Sequence, residues 1–371
     1  MTYPPAGDAP ETFLDAVSGE PLHPAAQDIW LRAAEAGWGD PRRLHHAGRR
    51  ARLMLDNARA SVAESLGVRP DEVTFTPSGT HACHLGLLGL VRGRTDARIG
   101  VSAVEHSAVM HAAAWHGAYE TLPVDALGRL EPATARESGA GVLAVQSANH
   151  EVGTVQPVSD IAAAHDGPLF VDACASGGRL PLPEGWSTAA LSAHKWGGPA
   201  GIGVLLVRKG ARWRPPFPAD DRADDRATGF EDVPGALAAA AALAAVVADD
   251  ETPARQRRLV DLIRRTVREI PDVDVVGDPD DRLPHIVTFS CLYADGEALV
   301  GELDRAGFAI GSGSACTAST LEPSHVLAAM GALTHGNVRV SLSRTTTEAD
   351  VDRFLAALPG VVREIRARVD L

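Results

Sequence analysis

Between about Asp71 and Val207 the chain alternates short β-type runs with helical patterns, and this alternation leaves few folds open to it. The runs at 73–75, 98–102, 141–145, 168–171, 189–192 and 203–207 are short and mostly apolar, and helix-like segments at 81–91, 107–116 and 158–165 lie between several of them. Strands joined by helical crossovers run parallel, and such a sheet is covered on both faces. Ligands then bind beyond the carboxyl ends of the strands. The tripeptide Ser78-Gly79-Thr80 and the residues His106, Asn149, Asp172 and Lys195 all fall at those ends.

The segment 215–232 is rich in Asp, Arg and Pro and reads as a surface loop. Residues 236–248 are dominated by alanine and too short to span a bilayer, so they read as a buried helix. An Arg-rich amphipathic stretch follows at 251–269. Strands at 285–290, 308–310 and 338–341, with helices at 297–305 and 347–358, then suggest a smaller α+β unit. The expected division is a large domain over 15–249 and a small one built from 1–14 and 250–371. The first thirteen residues have no basic stretch followed by an apolar run, so no signal peptide is read there. A net charge of −13 argues against nucleic acid as the main partner, and nothing points to a membrane. The four cysteines are far apart with no CxxC pair, which suits free thiols in a cytoplasmic enzyme.

Several residues carry chemistry. Lys195 lies between an apolar run and a glycine-rich loop, Leu191-Ser-Ala-His-Lys-Trp-Gly-Gly-Pro-Ala-Gly-Ile-Gly-Val204. A desolvated lysine amine attacks carbonyl carbon and can hold a cofactor aldehyde as a Schiff base, the other reading being a surface lysine in a turn. Asp172 ends a buried strand, where a carboxylate needs a cationic partner such as a pyridinium or else caps a following helix. Ser78-Gly79-Thr80 opens a helix and offers backbone N–H groups to a phosphate. His106 is placed to stack on an aromatic ring or to serve the structure. Cys316 sits among tiny and hydroxyl residues in a run that cannot build a core, so it is an exposed thiol on a mobile loop. Arg339, inside a strand, suits a substrate carboxylate or an internal salt bridge. Cys83, between His81 and His84, has no evident complement of metal ligands, so no metal is expected; Cys174 and Cys291 read as packing residues.

Together these residues resemble the cysteine desulfurases, pyridoxal 5'-phosphate (PLP) enzymes of the class V aminotransferase group. The likeness runs through nearly the whole chain: Leu44-His-His-Ala-Gly-Arg49, Phe75-Thr-Pro-Ser-Gly-Thr80, Val104-Glu-His-Ser-Ala108, Ala148-Asn-His-Glu-Val-Gly-Thr154 and Ser192-Ala-His-Lys195. Ser312-Gly-Ser-Ala-Cys316 followed by Leu321-Glu-Pro-Ser-His-Val-Leu327 resembles the subgroup with its catalytic cysteine on a long loop. The resemblance implies PLP fold type I, a large mostly parallel-sheet domain beside a smaller α+β domain, and a homodimer. It implies that Lys195 carries PLP as a Schiff base and moves the Cα proton. His106 would stack on the ring, Asp172 hold its nitrogen protonated and Asn149 bond the phenolic oxygen. Gly79, Thr80, Ser192 and His194 would take the phosphate, and Arg339 with Asn149 would bind the substrate. Cys316 would receive sulfur from L-cysteine as a persulfide, leaving L-alanine and passing the sulfur to an acceptor protein.

The pattern also departs from the family. Ala175 stands where a glutamine is usual, and Phe230 where a threonine reaches the neighbour's phosphate, with Thr228 nearby. Ala16-Val-Ser-Gly-Glu20 replaces the usual opening, and Cys83 and His84 stand where asparagines are common. Two other readings stay open at this point. One is a C–S or C–Se lyase that eliminates directly, and the other a degenerate homologue acting as a sulfur-transfer scaffold.

Overall fold

The computed structural model describes residues 12–95, 97–218, 226, 229–312 and 323–369. Residues 142–146 and 188–192 are buried at every position, as strands covered on both faces must be. They belong to a seven-stranded sheet made of β2 (Val73–Thr76), β3 (Ile99–Ser102), β4 (Glu120–Leu122), β5 (Val142–Gln146), β6 (Leu169–Asp172), β7 (Thr188–Ser192) and β8 (Gly203–Val207). β1 (Thr12–Leu14) lies elsewhere. The order is β2-β8-β7-β6-β5-β3-β4, parallel except for β8, which runs against both its neighbours. β4 was not expected: two of its three residues are exposed, so it lacks the apolar run that marks the others.

Alternate side chains of the sheet feed two cores. Leu143, Val145, Val171, Leu191, Val204 and Leu206 pack with α1 (Pro24–Ala36), α2 (His46–Leu66) and the alanine-rich α7 (Val233–Val247). Val142, Ala144, Phe170, Ala190 and Leu205 face α3 (Gly79–Arg92) and α4 (Ser107–His116). Between β4 and β6 lie α5 (Pro132–Glu137) and α6 (Val158–Ala164). α3 seats closely because Gly86 has no side chain: a Cβ there would meet the Phe170 ring at 2.7 Å.

A third core fills the C-terminal part. There β9 (Val273–Val276), β10 (Ile286–Cys291) and β12 (Asn337–Ser341) form an antiparallel sheet in the order β12-β10-β9. Its apolar face meets α8 (Glu251–Val267), α9 (Gly296–Arg305) and α11 (Glu348–Val369), and α10 (His325–Ala329) follows β11 (Phe308–Ile310). α11 runs through Pro359, past the expected end at 358, because Val362 and Ile365 beyond it remain buried in this core. β1 pairs in parallel with β11, so the start of the described chain joins the C-terminal part. Among the described residues no single helix is long and apolar enough to cross a membrane.

Candidate active site

Beyond the carboxyl ends of β5, β6 and β7 lies a cavity of about 240 Å³ lined by Thr80, His106, Asp172, Ser192, His194, Lys195 and Arg339, among others. A larger open groove of about 1080 Å³ lies elsewhere, beside Pro181, Pro183 and Trp186. It gathers Arg69, Glu72, Arg179 and Arg208 but neither a lysine nor a thiol, so the smaller cavity is the chemical one.

Asp172, the last residue of β6, is 6% exposed. Its Oδ1 accepts the N–H of Cys174 at 2.9 Å, and residues 174–179 form turns, so it does not cap a helix. Lys195 ends a short 3₁₀ turn just after β7. Its Nζ donates to the carbonyls of Val17 and, at 3.5 Å, Ser18.

Gly79 begins α3, with the Ser78 hydroxyl accepting the His81 N–H at 3.0 Å as the cap. A Cβ on Gly79 would lie 2.6 Å from Cβ of Ser192 and 3.2 Å from Sγ of Cys174, so only glycine brings the helix start this close to the end of β7. Ser192 Oγ and His194 Nδ1 are 3.0 Å apart. Burial, aided by the Lys195 charge, lowers His194 to about 4, so this imidazole is neutral near pH 7.

His106 takes the structural reading and lies at the cavity as well. It caps α4, its Nδ1 accepting the Ala108 N–H at 3.1 Å, and it also lines the cavity. A ring whose Nδ1 accepts carries its proton on Nε2. Burial lowers its pKa, against the pull of Asp172, and keeps it neutral. His150 meets it edge-on, ring centroids 5.0 Å apart, and burial followed by the neighbouring His106 drives His150 well below the usual histidine range.

One expectation comes out differently, and Arg339 takes one of its two readings. Asn149 does not line the cavity: its Nδ2 donates to the Val104 carbonyl at 3.1 Å and its Oδ1 accepts the N–H groups of Glu151 and Val152, both at 2.8 Å. The turn after Ala148 points His150 inward instead. Arg339, 3% exposed, takes the salt-bridge alternative here, with Nη2 3.0 Å from Asp15 Oδ1 and 3.4 Å from Ser18 Oγ. Its Nε is buried without a partner.

The sequence reading also missed a group. Cys83 does not join His81, which stacks on Phe217 with centroids 6.1 Å apart, because residues two apart face opposite sides of a helix. Cys83 and Cys174 both line the cavity, and Cys174 also packs against the core formed with α3 and α4. Their thiols and the Asp172 carboxylate lie within 4.8 Å of one another. The spacing of Cys83 three residues after Thr80 on one helix face was the available signal. Cys291 is buried in the C-terminal core, its thiol raised to about 11 by burial.

Cys316 and Thr228 lie outside the described residues. The chain on either side of residues 313–322 is fastened to the cavity's surroundings. Gly311 pairs with Arg339, Ser324 Oγ donates to Glu151 at 2.8 Å, and His325 Nε2 meets the Glu105 carbonyl at 2.9 Å. Phe230 is 60% exposed, away from the cavity, and Arg42 bonds to Gly229 and Glu231 beside it.

The residues fit PLP. An anion cup of helix start, hydroxyl and imidazole, a deep carboxylate and a lysine amine converge on one cavity, with the Cβ-free approach at Gly79 between them. Aminotransferase class V matches residues 35–354. An IscS-like cysteine desulfurase of Mycobacterium tuberculosis is 37% identical, across 95% of this chain and 97% of that protein. A cysteine desulfurase IscS of Dictyoglomus turgidum is 31% identical, across 96% and 95%. A NifS-like protein of known structure superposes with a TM-score of 0.86 at 25% identity, covering 95% of this chain and all of that one. The fold is also shared with the apo cysteine desulfurase of Thermococcus onnurineus NA1, with a TM-score of 0.83 at 20% identity, covering 95% of each chain. Aminotransferase class V and NifS-like proteins are PLP-dependent families of fold type I. The chain belongs to the class V aminotransferase family and, within it, to the cysteine desulfurases.

Proposed function

We propose that this cysteine desulfurase holds PLP in the cavity at the ends of β5–β7, takes L-cysteine as substrate and receives its sulfur on Cys316. The observation that carries the reading is the convergence of Lys195, Asp172, His106 and the Thr80–Ser192–His194 cup on one cavity. When bound, PLP supplies an electron sink for bonds at the substrate's α-carbon.

The protein's own groups then have separate tasks. Gly79, Thr80, Ser192 and the neutral His194 hold the phosphate, the last two through the hydroxyl–imidazole pair. Asp172 holds the ring nitrogen in its protonated form. Lys195 Nζ leaves the Val17 carbonyl to anchor the cofactor and to carry the α-carbon proton. His106 covers the ring and offers its Nε2 proton. Arg339 exchanges Asp15 for the substrate carboxylate, a swap between two like partners of one guanidinium.

The sulfur step balances without any added oxidant. The Cys316 thiolate attacks the substrate sulfur, the carbon–sulfur bond breaks, and the carbon keeps the electron pair and takes a proton. Thiol plus L-cysteine give persulfide plus L-alanine, and an acceptor then takes the outer sulfur. A homodimer is supported by the exposed apolar side chains of Trp38, Leu44 and Phe230, in segments that the Arg42 bonds to Gly229 and Glu231 tie together. Cys83, Cys174 and Cys291 are free thiols, which suits a reducing, cytoplasmic setting.

The test is turnover of L-cysteine with a thiol reductant, measuring alanine and sulfide in wild type and Cys316→Ser, alongside the visible spectrum of wild type and Lys195→Ala. The expected results are equal alanine and sulfide from a yellow wild type, a drop of at least about 100-fold in Cys316→Ser, and no yellow colour in Lys195→Ala. Sulfide from Cys316→Ser at the wild-type rate would mean direct elimination and would overturn the persulfide route.

A further inference from the structure

Two polar bonds tie the chain that follows Cys316 to the turns around the cavity. Ser324 Oγ donates to Glu151 Oε2 at 2.8 Å, and His325 Nε2 lies 2.9 Å from the Glu105 carbonyl. A carbonyl only accepts, so this Nε2 carries a proton and donates. Glu105 and Glu151 stand next to His106 and His150, and both of those histidines line the cavity. Ahead of Cys316, the Gly311 N–H and carbonyl pair with the backbone of Arg339 at 3.1 and 2.9 Å. The chain that bears Cys316 thus leaves the fold at Arg339 and rejoins it at the His106 and His150 turns.

Apolar packing does not require these bonds. Val326, Leu327 and Met330 already pack with Val104 and Val152, yet a carboxyl is buried to meet Ser324. Glu151 is 2% exposed, and its Oε1 is buried without a partner. The bond from Ser324 is the one its carboxyl makes among the described residues. Burying a carboxyl is costly, so the single bond it makes is a specific one.

The turns do not depend on the incoming chain in return. The Val104 carbonyl accepts from Gln146 Nε2 at 2.6 Å and from Asn149 Nδ2 at 3.1 Å. Glu105 Oε1 accepts the Gln146 N–H at 2.5 Å, and the Glu151 carbonyl accepts from Thr288 Oγ1 at 2.7 Å. Loss of the Ser324 and His325 bonds would therefore release the incoming chain and leave His106 and His150 in place.

We propose that Glu151, Ser324 and His325 are positioning residues that set the register of the chain following Cys316, and with it the aim of the thiol at the substrate sulfur. A fixed anchor shortens the search for the attacking geometry. This inference rests on the reading of Cys316 as the sulfur acceptor.

The experiment uses the purified holoenzyme as wild type, Glu151→Met, Glu151→Gln, His325→Phe and His325→Gln, with far-ultraviolet circular dichroism to check folding. Two rates are compared. One is alanine made from L-cysteine with a thiol reductant; the other is deuterium exchange at the α-carbon of L-alanine, which calls on Lys195 but on no thiol. Glu151→Met removes the acceptor and His325→Phe the donor at similar bulk, and both keep the Ser324 cap on α10. Each is expected to lower kcat for alanine about tenfold, with KM, the visible spectrum and α-carbon exchange within about twofold of wild type. The two Gln variants keep an acceptor or a donor and should stay within about threefold of wild type in every readout. Exchange that falls in step with turnover would mean general damage to the cavity and would overturn the proposal. So would near-normal turnover in the Met and Phe variants, or equal losses in the Gln variants. If Glu151→Met does not fold, the two His325 variants decide by the same criteria. Cys316→Ser matching wild type would sink the reading of Cys316 itself; an active, Cys316-dependent wild type with unchanged variants would sink this inference alone.

Discussion

His106 links a helix start to the chemistry, and its two tasks are separable. The Nδ1 bond to the Ala108 N–H serves α4, while Nε2 faces the cavity. Asparagine is a strong N-cap but cannot offer a ring. His106→Asn is therefore expected to keep stability within about 0.5 kcal/mol of wild type while desulfuration falls about 100-fold. His106→Ala should lose activity similarly and about 1 kcal/mol of stability besides. Denaturant midpoints beside alanine production check both. Lys195, Asp172 and His106 were legible because each closes or follows an apolar run, so strand position alone puts it at the ligand end of the sheet. Asn149 and His150 were not distinguished, since the direction of a side chain in a turn has no period to betray it. The salt bridge of Arg339 to Asp15 joins residues at opposite ends of the chain, and no local pattern announces such a pair.

At the level of elements, the closeness of α3 to the sheet sets where its first turn lies, and with it the anion cup. Phe170 from β6 fills the space a side chain at Gly86 would need. Gly86→Ala should overpack this contact and cost about 1–3 kcal/mol, read as a lower denaturant midpoint, against the helix propensity gained by alanine. Cofactor retention should fall with it, because the helix start moves. The alternation of runs and helices showed most of the large sheet, and all six expected strands are present. β4 and β9 escaped because they lack a fully buried apolar run. α11 outran its expected end because tertiary burial of Val362 and Ile365 overrode the proline at 359.

Across the whole molecule, burial leaves many ionisable groups uncharged, and their signs can be added. Eight histidines, at 23, 81, 84, 106, 150, 165, 194 and 285, have folded pKa values below 6.5. In the unfolded chain they bind protons first as pH falls below 6.5, so each contributes stability that is lost on acidification toward its folded value, about 4 for His194. Glu105 and Glu151 are raised, chiefly by burial, and act in the opposite sense above pH 4.5. Eight groups outweigh two, so the melting temperature is expected to fall between pH 6.5 and 4.5 in thermal scans. A flat or rising profile across that window would contradict the burial of these histidines.

The stretch from Asp15 to Glu20 has a consequence of its own. Asp15 meets Arg339, Val17 N–H donates to Ser341 Oγ, the Val17 carbonyl receives Lys195, and Glu20 binds Arg179 at 2.7 Å. One residue, Val17, is thus held through its N–H by β12 and through its carbonyl by the lysine beside β7. Such a stretch works as a gauge strung between the two sheets. If Lys195 turns to a bound cofactor, as proposed, the Val17 carbonyl loses its partner, and amide hydrogen exchange at residues 15–20 should quicken with cofactor loading. A peptide far from the cavity in sequence thereby becomes a readout of what its lysine is doing.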